Sequence, residues 1–175
     1  MRNRIVLIIT SFLFVAIALM MIYSKEKVLN EGTLIELETR PVDPRDLLRG
    51  DYVVLNYQIN GVNFDKDFGT VSPGKEVFVK LEKRGRYWEV KKAYPRLPAD
   101  TGIFMQGIIK GGGRFDNRVE YGIESYFVPE GKGKKIEEII RRGNKDKITV
   151  EVAVGKAGNA VIKQLLLNGR PYGFK

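Results

Sequence analysis

Apolar and polar positions follow three different rhythms along this chain. From Ile5 to Tyr23, in "IVLIITSFLFVAIALMMIY", there is no charge at all, between "MRNR" and "SKEK". A run of about 20 apolar residues crosses a hydrocarbon core of roughly 30 Å as a helix. Thr10 and Ser11 can return their hydroxyls to helix carbonyls and so do not interrupt the span. The rhythm then changes to period two, as in half-buried strands. "GTLIELETR" predicts a strand from Thr33 to Thr39. In "DYVVLNYQI", Val53, Leu55, Tyr57 and Ile59 fall on one face, and Tyr52, Val54, Asn56 and Gln58 on the other. Asn60-Gly61 reads as a hairpin turn, with "VNF" returning.

"EVFVKLEKRGRYWEVKKAY" predicts a hairpin turning near Arg84-Gly85, with Trp88 toward the core. "GIFMQGIIK" and "RVEYGIESYFV" are further strands, and "DKITVEVAVGKAGNAVIKQLLLNG" is a hairpin turning over 155–159. Only "KKIEEIIRRG" shifts to helical spacing, with Ile136, Ile139 and Ile140 on one face and Gly143 as a stop. The expected fold class is mainly β, an antiparallel or barrel-like sheet with one or two short helices, preceded by a single N-terminal transmembrane helix. The expected domains are an anchor over 1–24, a linker over 25–32 and an extracytoplasmic β-rich domain over 33–175.

The small-x-small pattern Ala16-Ile17-Ala18 fits a signal-peptide cleavage site. Cleavage there would leave Leu19 to Tyr23 as an apolar stub, so a retained anchor is expected. Arg2 and Arg4 favour a cytoplasmic N-terminus, although Lys25 and Lys27 compete on the other side. The soluble domain then lies outside the cytoplasm, in the cell membrane's extracytoplasmic space, and nucleic acid is not an expected partner. The net charge of +9 is interspersed and reads as a solvated surface.

The chain has no Cys and no His. That removes thiol nucleophiles, disulfides, Cys/His zinc sites and a Ser-His-Asp triad. No cofactor and no metal are expected, and no catalytic residue is assigned. An enzyme built from this chain would work through Asp, Glu, Lys, Ser or Tyr.

"RPVDPRDLLRGDYVVLNYQING" is the densest stretch. Asp43 before Pro44 is an N-cap followed by a favoured first-turn proline. Asp46 stands where it can complete a capping box, and Gly50 can end the turn. A capped corner therefore explains most of the stretch. Asp51, at the head of the following strand, is left over, and a salt-bridged clamp is its expected role. "GDYVVLNY" matches the pattern G-D-Y-x-x-L-x-Y throughout, and so resembles the GDYXXLXY family of bacterial membrane-anchored proteins. The positions carried over are Gly50, Asp51, Tyr52, Leu55 and Tyr57. "YGIESYFVPEGKG", Tyr121 to Gly133, is similar to a second stretch of that family, with Tyr121, Gly122, Glu124, Tyr126, Pro129 and Gly131 as candidate positions. The family is uncharacterised. The resemblance implies an anchored, strand-rich protein whose partner is another integral membrane protein, since such proteins tend to be encoded near multispanning ones.

Three functions compete. The first is a module that binds or assembles with another membrane protein. The second is an envelope enzyme using carboxylates such as Asp51 and Glu124 as general acid and base. The third is a module that binds an anionic envelope polymer through Lys and Arg. Gly131 and Gly133 lack the spacing of a phosphate-binding loop and read as a strand-to-helix turn.

Overall fold

The computed structural model describes residues 2–40, 52–65, 68–69, 71–111, 117–129, 136, 138–140 and 147–173. The corner "PVDPRDLLRG", Asp51 and Gly131 lie outside the described residues.

Helix α1 spans Arg2–Glu31 without interruption. From Ile5 to Tyr23 its apolar side chains cover no protein: Phe12 and Phe14 are each 75% exposed. It is long and apolar enough to cross a membrane by length and composition. The Thr10 hydroxyl donates to the Val6 carbonyl at 3.0 Å, and the Ser24 hydroxyl to Met20 at 2.8 Å, so neither breaks the ladder. The stretch 25–32, expected as a linker, is helical as far as Glu31 and is followed at Thr33 by strand.

A single residue, Gly32, makes that joint. Its N–H donates to the Val28 carbonyl at 2.9 Å. A Cβ on Gly32 would press on that same carbonyl and stand 3.1 Å from the Val154 carbonyl. Val28, near the end of α1, is buried, packed where a Cβ at Gly155 would lie 3.3 Å from it. The helix end is thereby seated on the sheet.

The strands are β1 (Thr33–Arg40), β2 (Tyr52–Val54), β3 (Asn56–Tyr57), β4 (Glu76–Arg84), β5 (Tyr87–Tyr94), β6 (Ile103–Ile109), β7 (Val119–Glu120), β8 (Ser125–Phe127), β9 (Ile148–Val154), β10 (Ala160–Leu167) and β11 (Arg170–Pro171). They form sheets ordered β11-β10-β9-β1-β3 and β5-β4-β6-β7, with β2-β8 as a separate pair. All the pairings are antiparallel. The two larger sheets share one core, with Ile35, Leu37, Val77, Val79, Met105, Val150 and Val152 among its members. They are stitched where the Gln106 N–H donates to the Gly158 carbonyl at 2.8 Å. Among the described residues, 136 and 138–140 are helical, and Ile136 and Ile140 are buried in the same core, as their spacing predicts.

The alternation over Val53, Leu55, Tyr57 and Ile59 is borne out in burial: each is at most 1% exposed. The expected single strand is not continuous, however. It leaves β8 at Leu55, joins β1 through β3, and then turns as a 3-10 segment over Gln58–Asn60. The hairpin expected at Asn60-Gly61 does not form. Gly61 is extended, with φ −82°, whereas a type I′ turn needs positive φ at both central residues. Likewise "RVEYGIESYFV" is two strands, β7 and β8, broken over 121–124 where Gly122 takes φ +75°.

Tyr121 rests against Gly107 of β6. A Cβ at Gly107 would collide with Val119 Cγ1 and lie 2.9 Å from the Glu120 carbonyl oxygen and 3.0 Å from the Tyr121 ring. Because two of these neighbours belong to a paired strand and a buried ring, Gly107→Ala should cost about 1–3 kcal/mol of stability through overpacking. Urea titration of the detergent-solubilised chain, followed by Trp88 fluorescence, measures it.

Candidate functional site

The two stretches singled out by sequence are bonded to each other. β2, from the first, pairs with β8, from the second, in the register Tyr52↔Phe127, Val53↔Tyr126, Val54↔Ser125. The Leu55 N–H extends the ladder to the Glu124 carbonyl at 2.8 Å.

Side chains then cross in both directions. The Tyr57 hydroxyl donates to the Ile123 carbonyl at 2.6 Å, and the Tyr121 hydroxyl donates to the Ile59 carbonyl at 2.7 Å. Each tyrosine thus caps the backbone of the other motif. Both carbonyls belong to irregular chain, where no strand partner would satisfy them, and buried polar groups need partners. Asn60 lies between the motifs and is buried. Its Oδ1 accepts from the Tyr57 N–H. Its Nδ2 donates to the Val119 carbonyl at 2.7 Å and to Glu124 Oε1 at 3.3 Å. Glu124 Oε1 also accepts from the Tyr121 N–H at 2.7 Å.

Sequence reading picked out Leu55, Tyr57, Tyr121, Gly122, Glu124 and Tyr126 in two separate motifs, which the structure brings to one place. Pro129 is exposed at its margin, and Gly50, Asp51 and Gly131 lie outside the described residues. It missed Asn60, whose turn propensity masked its role as a buried bridge. The Glu124 carboxylate, expected as one of two possible acid–base groups, spends Oε1 on holding backbone and amide N–H groups.

Burial, and secondarily the nearby Glu124, pushes the Tyr57 and Tyr121 hydroxyls above their ordinary titration range. A phenol with a raised folded-state pKa stabilises the fold fully below its unfolded value of about 10, and that contribution is lost as pH rises beyond it. Stability should then fall above about pH 10 by up to about 1.4 kcal/mol per pH unit for each tyrosine. Urea midpoints taken from pH 8 upward check this. The variant carrying Tyr57→Phe and Tyr121→Phe should start lower at neutral pH and lose less at alkaline pH.

Of the recesses beside the domain's strands, two are lined by several charged side chains. One, of about 320 Å³, is bounded by Lys25 of α1, Glu76, Ile108, Lys110, Glu120 and the second motif's Tyr121, Gly122 and Glu124. The other, of about 460 Å³, runs beside β5 and includes Glu38, Asp65, Tyr87, Trp88 and Glu89. The acids of the second are compensated by neighbours: Glu38 by Lys147 at 2.7 Å, Asp65 by Lys92 at 3.2 Å, and Glu89 by Arg84 at 3.5 Å. No group of three or more Asp or Glu side chains able to hold a metal ion occurs among the described residues.

A family model described as "GDYXXLXY protein" matches residues 14–165. No curated protein and no solved structure gives a significant match. The match takes in α1 from Phe14 onward, both motifs and nearly all of the β domain, so the chain belongs to the GDYXXLXY family.

Proposed function

We propose that this member of the GDYXXLXY family is a single-pass module whose β domain is held against the extracytoplasmic membrane surface and assembles there with another integral membrane protein. The observation that carries this reading is the joint at Gly32: the apolar helix runs into β1 through one residue, and its last turns are seated on the sheet by Val28. A domain on a flexible tether samples many orientations, whereas a seated helix presents one face to the same neighbour continuously. Preorganisation of that kind favours docking, because less freedom is lost on association.

Retention of the anchor is supported by the same joint. Ala16-Ile17-Ala18 lies inside an unbroken helix, and cleavage there would leave Leu19 to Tyr23 exposed at the end of a helix still docked to the domain. Arg2 and Arg4 favour a cytoplasmic N-terminus. Beside the family motif, Phe127 of β8 is 79% exposed and offers an apolar contact.

Affinity capture from membranes tests the proposal. The intact chain should recover a stoichiometric integral membrane partner. A chain with six Gly/Ser residues inserted between Glu31 and Gly32 should fold and insert but recover at least tenfold less. Equal recovery by the two, or no stoichiometric partner with either, would overturn the assembly reading.

A further inference from the structure

The smaller recess has a position and a charge pattern that suit one class of ligand. Lys25 stands two residues beyond Tyr23, the last residue of the apolar run, which is about 3 Å along a helix axis. Beyond each side of the hydrocarbon core lie roughly 5–7 Å of headgroups. If α1 spans the bilayer, as proposed above and as this inference requires, the Lys25 wall of the recess lies within that layer.

Ile108, 44% exposed, is among the residues lining the recess. It sits in register between Glu76 on β4 and Glu120 on β7, so the three side chains share a sheet face. Glu120 is occupied by Lys110 at 3.1 Å. Lys25 and Glu76 each lack an ion-pair partner among the described residues, although both line this one recess. Glu124 commits only Oε1, to the clamp between the motifs. Among the described residues, the recess thus offers one cation and one carboxylate without an ion-pair partner, with a further carboxylate oxygen at the second motif. Three carboxylates in the lining disfavour a purely anionic guest. A volume of about 320 Å³ corresponds to about ten waters at ~30 Å³ each, enough for a small headgroup.

We propose that this recess binds a phosphate–primary ammonium zwitterion of the phosphoethanolamine type. Lys25 takes the phosphate, and Glu76, with Glu124, takes the ammonium. A quaternary ammonium offers no N–H to these carboxylates, and a glycerol headgroup offers no positive charge, so both are discriminated against.

The full chain is reconstituted in nanodiscs of equal phosphatidylcholine, phosphatidylethanolamine and phosphatidylglycerol, and retained lipid is read by native mass spectrometry. Phosphatidylethanolamine should be retained over the other two at least fivefold. Lys25→Ala and Glu76→Gln should each abolish the preference, while Lys156→Ala, at an exposed residue outside the recess lining, should keep it. Retention of all three lipids alike, or an undiminished preference in Glu76→Gln, overturns the site. Displacement of the bound lipid by millimolar glycerophosphoethanolamine assigns the natural source to solution, and resistance to it assigns the source to the bilayer. A chain that fails to enter the nanodisc overturns the anchored reading and this inference with it. A chain that enters without lipid preference overturns the inference alone.

Discussion

Asn60→Ala should lower the unfolding free energy of the β domain by about 3 kcal/mol or more, among the largest effects of any single polar truncation among the described residues. The removed amide makes two short bonds inside the protein, accepting from the Tyr57 N–H and donating to the Val119 carbonyl. Asn60 is only 6% exposed, so water does not replace them. Each buried backbone group left unpaired costs roughly 1–3 kcal/mol, and the void adds to that. Asn60→Asp separates bonding from electrostatics. It keeps an acceptor for the Tyr57 N–H but loses the donor and sets a carboxylate beside Glu124 Oε1, now 3.3 Å from Nδ2. Two carboxylates at that distance cannot both ionise cheaply, so this variant should regain stability as pH falls from 7 toward 4, whereas Asn60→Ala should not. Urea titrations at several pH values give both results.

Val28→Asp should uncouple the helix from the domain while leaving each intact. Val28 is 7% exposed and lies against the joint formed by Gly32, Val154 and Gly155. A carboxylate there would be desolvated at the joint, with Lys25 one helical turn away able to offset only part of the cost, and undocking relieves it. The core strands do not depend on Val28, so the sheet survives. Because the chain has no native Cys, spin labels at Tyr23→Cys and Arg170→Cys report the helix-to-domain distance cleanly. The parent chain should give one narrow distribution in nanodiscs, and Val28→Asp a broad one with unchanged circular dichroism. A narrow distribution in both would show that Val28 does not seat the helix.

Local signals in the sequence were reliable where structure is local. The hairpins β4–β5 and β9–β10 join neighbouring segments, and alternation plus a turn suffices to read them. Parity also identified the buried set Val53, Leu55, Tyr57 and Ile59, because burial of a face leaves a period of two whether or not the strand is continuous. What it could not show is that the chain changes partners at Leu55, from β8 to β1. That switch depends on segments far along the chain. Asn60 was misread for the same reason: Asn-Gly favours a tight turn locally, but long-range bonds to Val119 and Glu124 take the amide for a different purpose. The motifs could each be picked out by residue pattern, yet their pairing is a matter of register, which no single segment encodes. The recess at Lys25 was invisible because its members come from α1, β4, β6, β7, the second motif and the start of β10, with no shared spacing. Asp51 lies outside the described residues, and its expected role as a clamp stays an expectation.

The most direct test of an anchored, extracytoplasmic domain is single-cysteine labelling in sealed right-side-out membrane vesicles, on a chain carrying an N-terminal epitope. Lys156→Cys should react with a membrane-impermeant maleimide from outside, Arg4→Cys should react only after permeabilisation, and both chains should keep the epitope at full mass in the membrane fraction. Release of a shorter chain from the membrane, or labelling of Arg4→Cys in sealed vesicles, would contradict it.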